Sequence, residues 1–191
     1  MKKRNPAEAA GITPVYYSEM ESLIGILTLC ATDRGLCLLM FGPLGDTRGA
    51  MEKWLAVQVG AVELLPGEEQ LAGAKEQLAE YFSGQRQDFS LPLDMRGTPF
   101  QLQVWAALRN IPYGASASYK DVALAVGNAK AVRAVGGANN RNPVPVIVPC
   151  HRVIGAAGAL VGYAGGLGIK GCLLELEAGQ SAGDRAGIYL F

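Results

Sequence analysis

One histidine, His151, and four cysteines, Cys30, Cys37, Cys150 and Cys172, are all that this 191-residue chain holds of those two residue types. That scarcity argues against a Cys/His zinc cluster and against a disulfide scaffold, and it suits a reducing compartment. No apolar run approaches the ~18–20 residues of a membrane-spanning helix. Met1-Lys2-Lys3-Arg4 is basic, but no apolar stretch follows it, so no signal peptide is expected. Charged residues are only 18% of the chain and hydrophobic ones 50%, which excludes disorder over most of its length. The length fits one large domain or two small ones. The expectation is a cytoplasmic, metal-poor protein with no cofactor and no membrane partner.

A net charge of zero hides an asymmetry. Residues 1–91 carry eight Lys and Arg against twelve Asp and Glu, and residues 92–191 carry nine against five. Between 96 and 152 stand Arg96, Arg109, Lys120, Lys130, Arg133, Arg141 and Arg152 against Asp121 alone. Such a block is a candidate surface for a polyanion. Chance clustering on a solvated face would look the same, and composition does not choose between them.

Residues 1–14, polar with Pro6 and Pro14, read as a mobile leader. Strands are expected at 15–17, 24–31 and 36–41, the last two joined by the hairpin turn Thr32-Asp33-Arg34-Gly35. A helix around 46–58, a strand near 61–65 and an amphipathic helix over 68–82 follow, the last with Leu71, Ala74, Leu78 and Phe82 on one stripe. The aperiodic stretch 88–97 coincides with the change of charge sign. The expected division is therefore an N-terminal domain at 15–91, a C-terminal domain at 92–180 and a tail at 181–191.

The second half reads as mainly helical. Thr98-Pro99 is a helix start, with Thr as cap and Pro in the first turn. Ser118 caps a short helix over 119–126, closed by Gly127-Asn128, and a further helix over 129–139 is expected to bury Ala131, Val132, Val135 and Ala138. Two short helices around a tight turn make a helix-turn-helix outline. The second carries Lys130 and Arg133 outward, beside small residues Ala134, Gly136 and Gly137. Each glycine costs roughly 1 kcal/mol in a helix relative to alanine. Close approach of the backbone to another surface is one reason to keep them; a frayed helix end is the other.

The run Pro143-Val144-Pro145-Val146-Ile147-Val148-Pro149 is stiffened by proline and β-branched residues, and it delivers Cys150-His151. A cysteine opening a helical turn is expected to have a lowered pKa, and with an adjacent histidine it reads as a nucleophile. Neighbouring side chains in a helical turn do not face each other, so a bridging water is the expected proton route. Glu175 and Glu177 are the candidate carboxylates to orient the imidazole.

The segment from Gly97 to Gly179 resembles the catalytic domain of the O6-alkylguanine-DNA alkyltransferases. The resemblance rests on Pro145–Val153, Val104-Trp105, Pro112-Tyr113-Gly114, Ser118-Tyr119, Arg133–Ala138, Asn142-Pro143 and Tyr163-Ala164-Gly165-Gly166. It implies an α+β protein, with a small ribonuclease H-like α/β domain before a mainly helical, winged-helix-like domain that contains the helix-turn-helix. It also implies irreversible, single-turnover transfer of an alkyl group from O6-alkylguanine in double-stranded DNA to Cys150, after nucleotide flipping, by a monomer. O4-alkylthymine is a further candidate substrate.

Residue by residue, the resemblance makes Cys150 the acceptor, His151 the water-linked base and Glu177 the orienting carboxylate. Asn142 would brace the turn, and Tyr119 would donate to the guanine ring. Arg133 would be the finger that fills the base stack. Tyr163 and Ala164 would belong to the lid, and Lys170 would support the site. Val153, Ala134, Gly136, Gly137, Lys130 and Arg141 would complete the DNA and base contacts. Three other readings are a non-catalytic sensor, disfavoured by the presence of Cys150, a cysteine hydrolase, and a helix-turn-helix transcription factor.

Overall fold

A computed structural model of the chain describes residues 11–155 and 158–179. Residues 1–10 of the expected leader and the expected tail at 181–191 lie outside the described residues. The chain divides into two compact units, one formed by residues up to Glu80 together with Phe89–Arg96, the other by Tyr81–Asp88 and the chain from Gly97 onward.

The first unit is built on a four-stranded sheet of order β3-β2-β1-β4, with β1 at Thr13–Ser22, β2 at Gly25–Thr32, β3 at Gly35–Phe41 and β4 at Val62–Pro66. β1, β2 and β3 form an antiparallel meander, and β4 runs parallel to β1. β1 starts earlier than expected because Thr13 and Pro14 pair with Val62 and Glu63, so these two residues belong to the sheet and not to a leader. Residues Leu27–Thr32 are buried on both faces of the central strand. Helix α1, Leu44–Gln58, lays Met51 and Leu55 against Val15, Cys30, Cys37 and Leu38. Gly35 turns the β2–β3 hairpin at φ +134°, where a side chain would strike the Pro92 carbonyl.

That carbonyl accepts from Leu36 N at 2.9 Å, and Asp94 N returns a bond to Leu36 O at 2.9 Å. The aperiodic stretch is thus partly an extra bridge beside β3. Buried Asp94 accepts from Thr32 and from Arg96, which also donates to Gln58 O. Burial pushes the Asp94 carboxyl up, but Arg96, Thr32 and Arg34 outweigh it and hold it below its ordinary value. Helix α2, Glu68–Phe82, buries Leu71, Ala74 and Leu78, and its stripe ends on Tyr81, which is fully enclosed, while Phe82 is only half-buried.

The second unit is mainly helical. α3, Pro99–Leu108, opens with a capping box in which Thr98 and Gln101 satisfy each other's backbone amides. Its Trp105 Nε1 donates to Ala138 O at 2.9 Å, tying α3 to α5, Val132–Asn140. Between them α4, Tyr119–Ala125, carries a second capping box, Ser118 with Asp121. Together α4 and α5 make the helix-turn-helix. α5 starts three residues later than expected because Asn128 holds a turn there, its O accepting from Ala131 N and its Oδ1 from Lys130 N. Val132 is consequently exposed and Ala131 only half-buried, while Val135 and Ala138 face inward. A two-residue parallel pair, β5 (Ala117–Ser118) with β6 (Val153–Ile154), and α6, Gly166–Glu177, complete the unit.

Candidate active site

Residues 142–153 are buried without interruption. Val146 sits at φ +73°, a left-handed conformation that costs a non-glycine residue of order 1–3 kcal/mol. Neighbouring bonds hold it there. Val148 N donates to Val144 O at 2.9 Å, and the Asn142 carboxamide closes the loop. Its Oδ1 accepts from Val144 N at 3.1 Å, while its Nδ2 donates to Val148 O at 2.7 Å and to Cys150 Sγ at 3.1 Å. One side chain therefore shapes the loop and solvates the sulfur.

Cys150–Arg152 form a single 3₁₀ turn. Against the expected lowering, burial pushes the Cys150 thiol up to about 11, although Asn142, nearby backbone amides and Lys170 all pull it down. Three residues carry little of the dipole that a longer helix would supply, and the sulfur is almost wholly enclosed. The resting group is therefore a thiol, and a base must take its proton.

His151 is placed for that work. It is fully enclosed, and its Nε2 lies 2.8 Å from Glu177 Oε1. Arg152 grips the same carboxylate, Nε to Oε2 at 2.9 Å and Nη2 to Oε1 at 3.0 Å, and donates to Ile111 O at 2.6 Å. Gly114 N donates to Oε2 at 3.2 Å. Burial pushes the Glu177 carboxyl up, but His151, Arg152 and Tyr81 prevail and hold it at about 2. Burial also lowers the His151 pKa, against the opposing pull of Glu177. A neutral imidazole facing an ionised carboxylate must donate from Nε2. Its Nδ1 then carries the lone pair, and this buried atom has no hydrogen-bond partner among the described residues.

Two phenols stand within electrostatic reach of the sulfur. Tyr119 Oη donates to Val161 O at 3.2 Å; burial, then Cys150, lifts its pKa. Tyr163 is buried, and its pKa is raised by burial, Cys150 and Glu177. Lys170 is fully enclosed and donates to Val153 O at 2.6 Å and Val161 O at 2.9 Å. Val153 is itself sealed, whereas Ala164 is exposed.

Of the basic block, Arg109, Lys120, Lys130, Arg133 and Arg141 are exposed, as is Ala134. Arg96 and Arg152 do not belong to that surface, since each is turned onto a buried carboxylate. A Cβ added to Gly136 or Gly137 would meet only ordinary contacts, at 3.9 Å and 3.4 Å. Packing among the described residues requires neither glycine.

Arg152 and Tyr81 were missed as site residues by sequence reasoning. Tyr81 Oη donates to Glu177 Oε1 at 2.7 Å across 96 positions of sequence. The helical stripe through Leu71, Ala74 and Leu78 was the available signal, because its next inward position is 81.

A thiol backed by a buried imidazole–carboxylate pair, within a unit that also carries a helix-turn-helix, defines a DNA-binding protein that uses its own cysteine as a chemical group. The DNA binding domain of 6-O-methylguanine DNA methyltransferase matches residues 99–179, and the ribonuclease-like domain of the same family matches residues 15–95. The chain belongs to the 6-O-methylguanine DNA methyltransferase family. A constitutive methylated-DNA–protein-cysteine methyltransferase of Bacillus subtilis is 63% identical over 108 residues, 56% of this chain and 66% of that one. One from Methanosarcina acetivorans is 47% identical over 163 residues, 85% of this chain and 98% of that one. Among solved structures, Mycobacterium tuberculosis OGT in complex with DNA aligns at 42% identity with a TM-score of 0.73, covering 87% of this chain and 94% of that one. The family's work is DNA repair by transfer of an alkyl group to a cysteine of the protein itself.

Proposed function

We propose that this protein, acting as a monomer in the cytoplasm, removes alkyl groups from O6-alkylguanine in double-stranded DNA by transferring them to Cys150. The observation that carries the reading is the Asn142 amide 3.1 Å from Cys150 Sγ, next to a neutral His151 whose Nε2 lies 2.8 Å from Glu177.

His151 Nδ1 takes the thiol proton through a water, and the thiolate attacks the alkyl carbon. The S–C bond forms as the C–O6 bond breaks, and the electron pair stays with the guanine. The Tyr119 hydroxyl exchanges its Val161 partner for a ring nitrogen of the base, and the proton lost by sulfur restores the neutral guanine. The thioether has no route back to thiol, so each protein acts once.

A base inside a duplex is unreachable by a buried sulfur, so the nucleotide must be flipped, at a cost of a few kcal/mol in lost stacking. Arg133 fills the space left behind. The backbone at Gly136 and Gly137 approaches the DNA closely, while Lys130 and Arg141 meet phosphates. Tyr163 and Ala164 close over the base, and Lys170 anchors the carbonyls of Val153 and Val161 beneath it.

Incubation with a duplex containing O6-methylguanine, followed by peptide mass spectrometry, tests the reading. One added methyl on the Cys150 peptide is expected, and none in Cys150→Ser. Repeated turnover, or methyl on Cys172 alone, would refute it. In the same assay Arg133→Ala should slow repair in duplex more than reaction with free O6-benzylguanine; equal losses would remove the finger role.

A further inference from the structure

We propose that Tyr81 is a positioning residue for the alkyl transfer: its hydroxyl shares one carboxylate oxygen of Glu177 with His151, and so keeps the imidazole in the tautomer that leaves Nδ1 basic. The inference rests on the reading of Cys150 as acceptor, but its test does not.

Oε1 of Glu177 accepts from Tyr81 at 2.7 Å, His151 at 2.8 Å and Arg152 at 3.0 Å, and Oε2 accepts from Arg152 and Gly114. Five donors meet a group with about four lone-pair positions. A carboxylate gripped on both oxygens has one orientation, so the imidazole finds its acceptor in one place. Tyr81 is fully enclosed, and its ring is held edge-on by Phe82 at 5.4 Å and by Tyr113 at 6.1 Å. Arg152 lies 5.8 Å above the Tyr113 ring, so the same aromatic pair steadies both of these donors. Tyr81 falls within the ribonuclease-like match, yet its hydroxyl joins the chemistry of the second unit.

The charged and titratable groups facing the His151–Glu177 pair are Tyr81 from α2, Tyr113 from the turn after α3, Cys150 and Arg152 from the 3₁₀ turn, Tyr163 from the loop before α6, and Lys170 from α6. Among them Tyr81 donates to the carboxylate without bringing a positive charge. Removing its hydroxyl returns electron density to Oε1, and a more basic carboxylate stabilises the imidazolium. His151 of the variant therefore protonates at higher pH than in the parent. The transfer loses its base earlier on the acid side.

Tyr81→Phe keeps the ring and removes only the hydroxyl. Because the chain has a single histidine, histidine-selective ¹⁵N NMR reports one imidazole without ambiguity. The parent is expected to show the Nε2–H tautomer. In Tyr81→Phe the imidazole titration should rise by roughly half a unit to one unit, and transfer from free O6-benzylguanine should slow ~3–10-fold on the high-pH plateau. An Nδ1–H tautomer in the parent would overturn the proposal. So would an unmoved titration in Tyr81→Phe, with or without a slower rate, since that would leave Tyr81 a packing role only. A parent that takes no alkyl group at Cys150 would refute the acceptor reading, and the NMR comparison would still decide Tyr81.

Discussion

Cys150 of the second unit and the Cys30–Cys37 pair of the first are buried to nearly the same degree, and burial raises all three thiols. What differs is the company. Cys30 touches Met51 Sδ at 3.2 Å, and Cys37 donates to the Cys30 carbonyl at 3.4 Å. Burial and the Asp94 carboxylate push the Cys37 thiol up to about 12 against the pull of Arg96 and of the Cys37 and Thr32 backbone amides, and the chain's one imidazole stands elsewhere, beside Cys150. Cys150 receives a hydrogen bond from Asn142, has the Lys170 ammonium within reach and is followed by an imidazole seated on an ionised carboxylate. Enclosure by itself makes a cysteine inert. Enclosure among aimed donors and a base makes one that can ionise when its substrate arrives.

The contrast breaks most severely at Glu177. Glu177→Gln leaves the Arg152 guanidinium buried without a counter-charge, which costs about 3–5 kcal/mol when one partner of a buried pair is removed. The amide also gives His151 a weaker acceptor, so alkyl transfer should fall ~10²-fold or more. Denaturant unfolding and single-turnover rates measure the two effects. Acid should act on the same carboxylate in the parent protein. Its folded pKa, about 2, lies below the ordinary value of 4.5, so its stabilisation is complete above that value and drains away as pH falls toward 2. The lowered His151 pKa has the same sign, because this imidazole is enclosed neutral and protonation opposes the fold. Stability measured from pH 7 to pH 3 should fall first through the histidine range and then through the carboxylate range. Glu177→Gln should lack the second part of that fall. An unchanged acid profile in the variant would mean that some other group carries it.

Asn142→Ala comes next. It strips the sulfur of its amide donor, takes from Val144 N the Asn142 oxygen it donates to, and leaves Val148 O with the Cys150 amide alone of its two donors in an enclosed loop. Each lost partner costs about 1–3 kcal/mol. The transfer rate should fall ~10-fold and the Cys150 thiol titrate higher, read by the pH dependence of its modification. A rate loss without a shift in that titration would confine Asn142 to shaping the loop.

Much of this contrast could be read in the sequence, and the unread part has a common cause. Cys150, His151, the Asn142 brace and the Ser118 and Thr98 caps lie within a few residues of what they act on, so order along the chain nearly specifies geometry. The sheet and the helix over 68–82 declared themselves through alternation and a 3–4 stripe. By contrast, Arg152 is adjacent to the motif, but its partner Glu177 lies 25 positions on, and Tyr81 meets that same carboxylate from 96 positions away. Nothing local reports such convergence. The direction of the Cys150 shift was misjudged for a related reason: a proline before a turn is visible in sequence, whereas the depth at which the turn is buried is not. Arg96 and Arg152 likewise counted toward a basic surface until their buried carboxylates were seen.

The smallest effect belongs to the other side of the contrast. Cys30→Ala removes one buried sulfur from between the sheet and α1, where Met51 and Leu55 pack. The lost contacts and the void of about one atom should cost roughly 1 kcal/mol, seen as a modest shift of the denaturant midpoint. Transfer to Cys150 should proceed at the parental rate, because no proton, charge or hydrogen bond of the acceptor turn is altered. If Cys30→Ala slowed the transfer as much as Asn142→Ala does, local polar company would not be what separates the two kinds of buried thiol. The reactivity of Cys150 would then depend on the packing of the sheet unit, and the donors around the sulfur would be secondary to it.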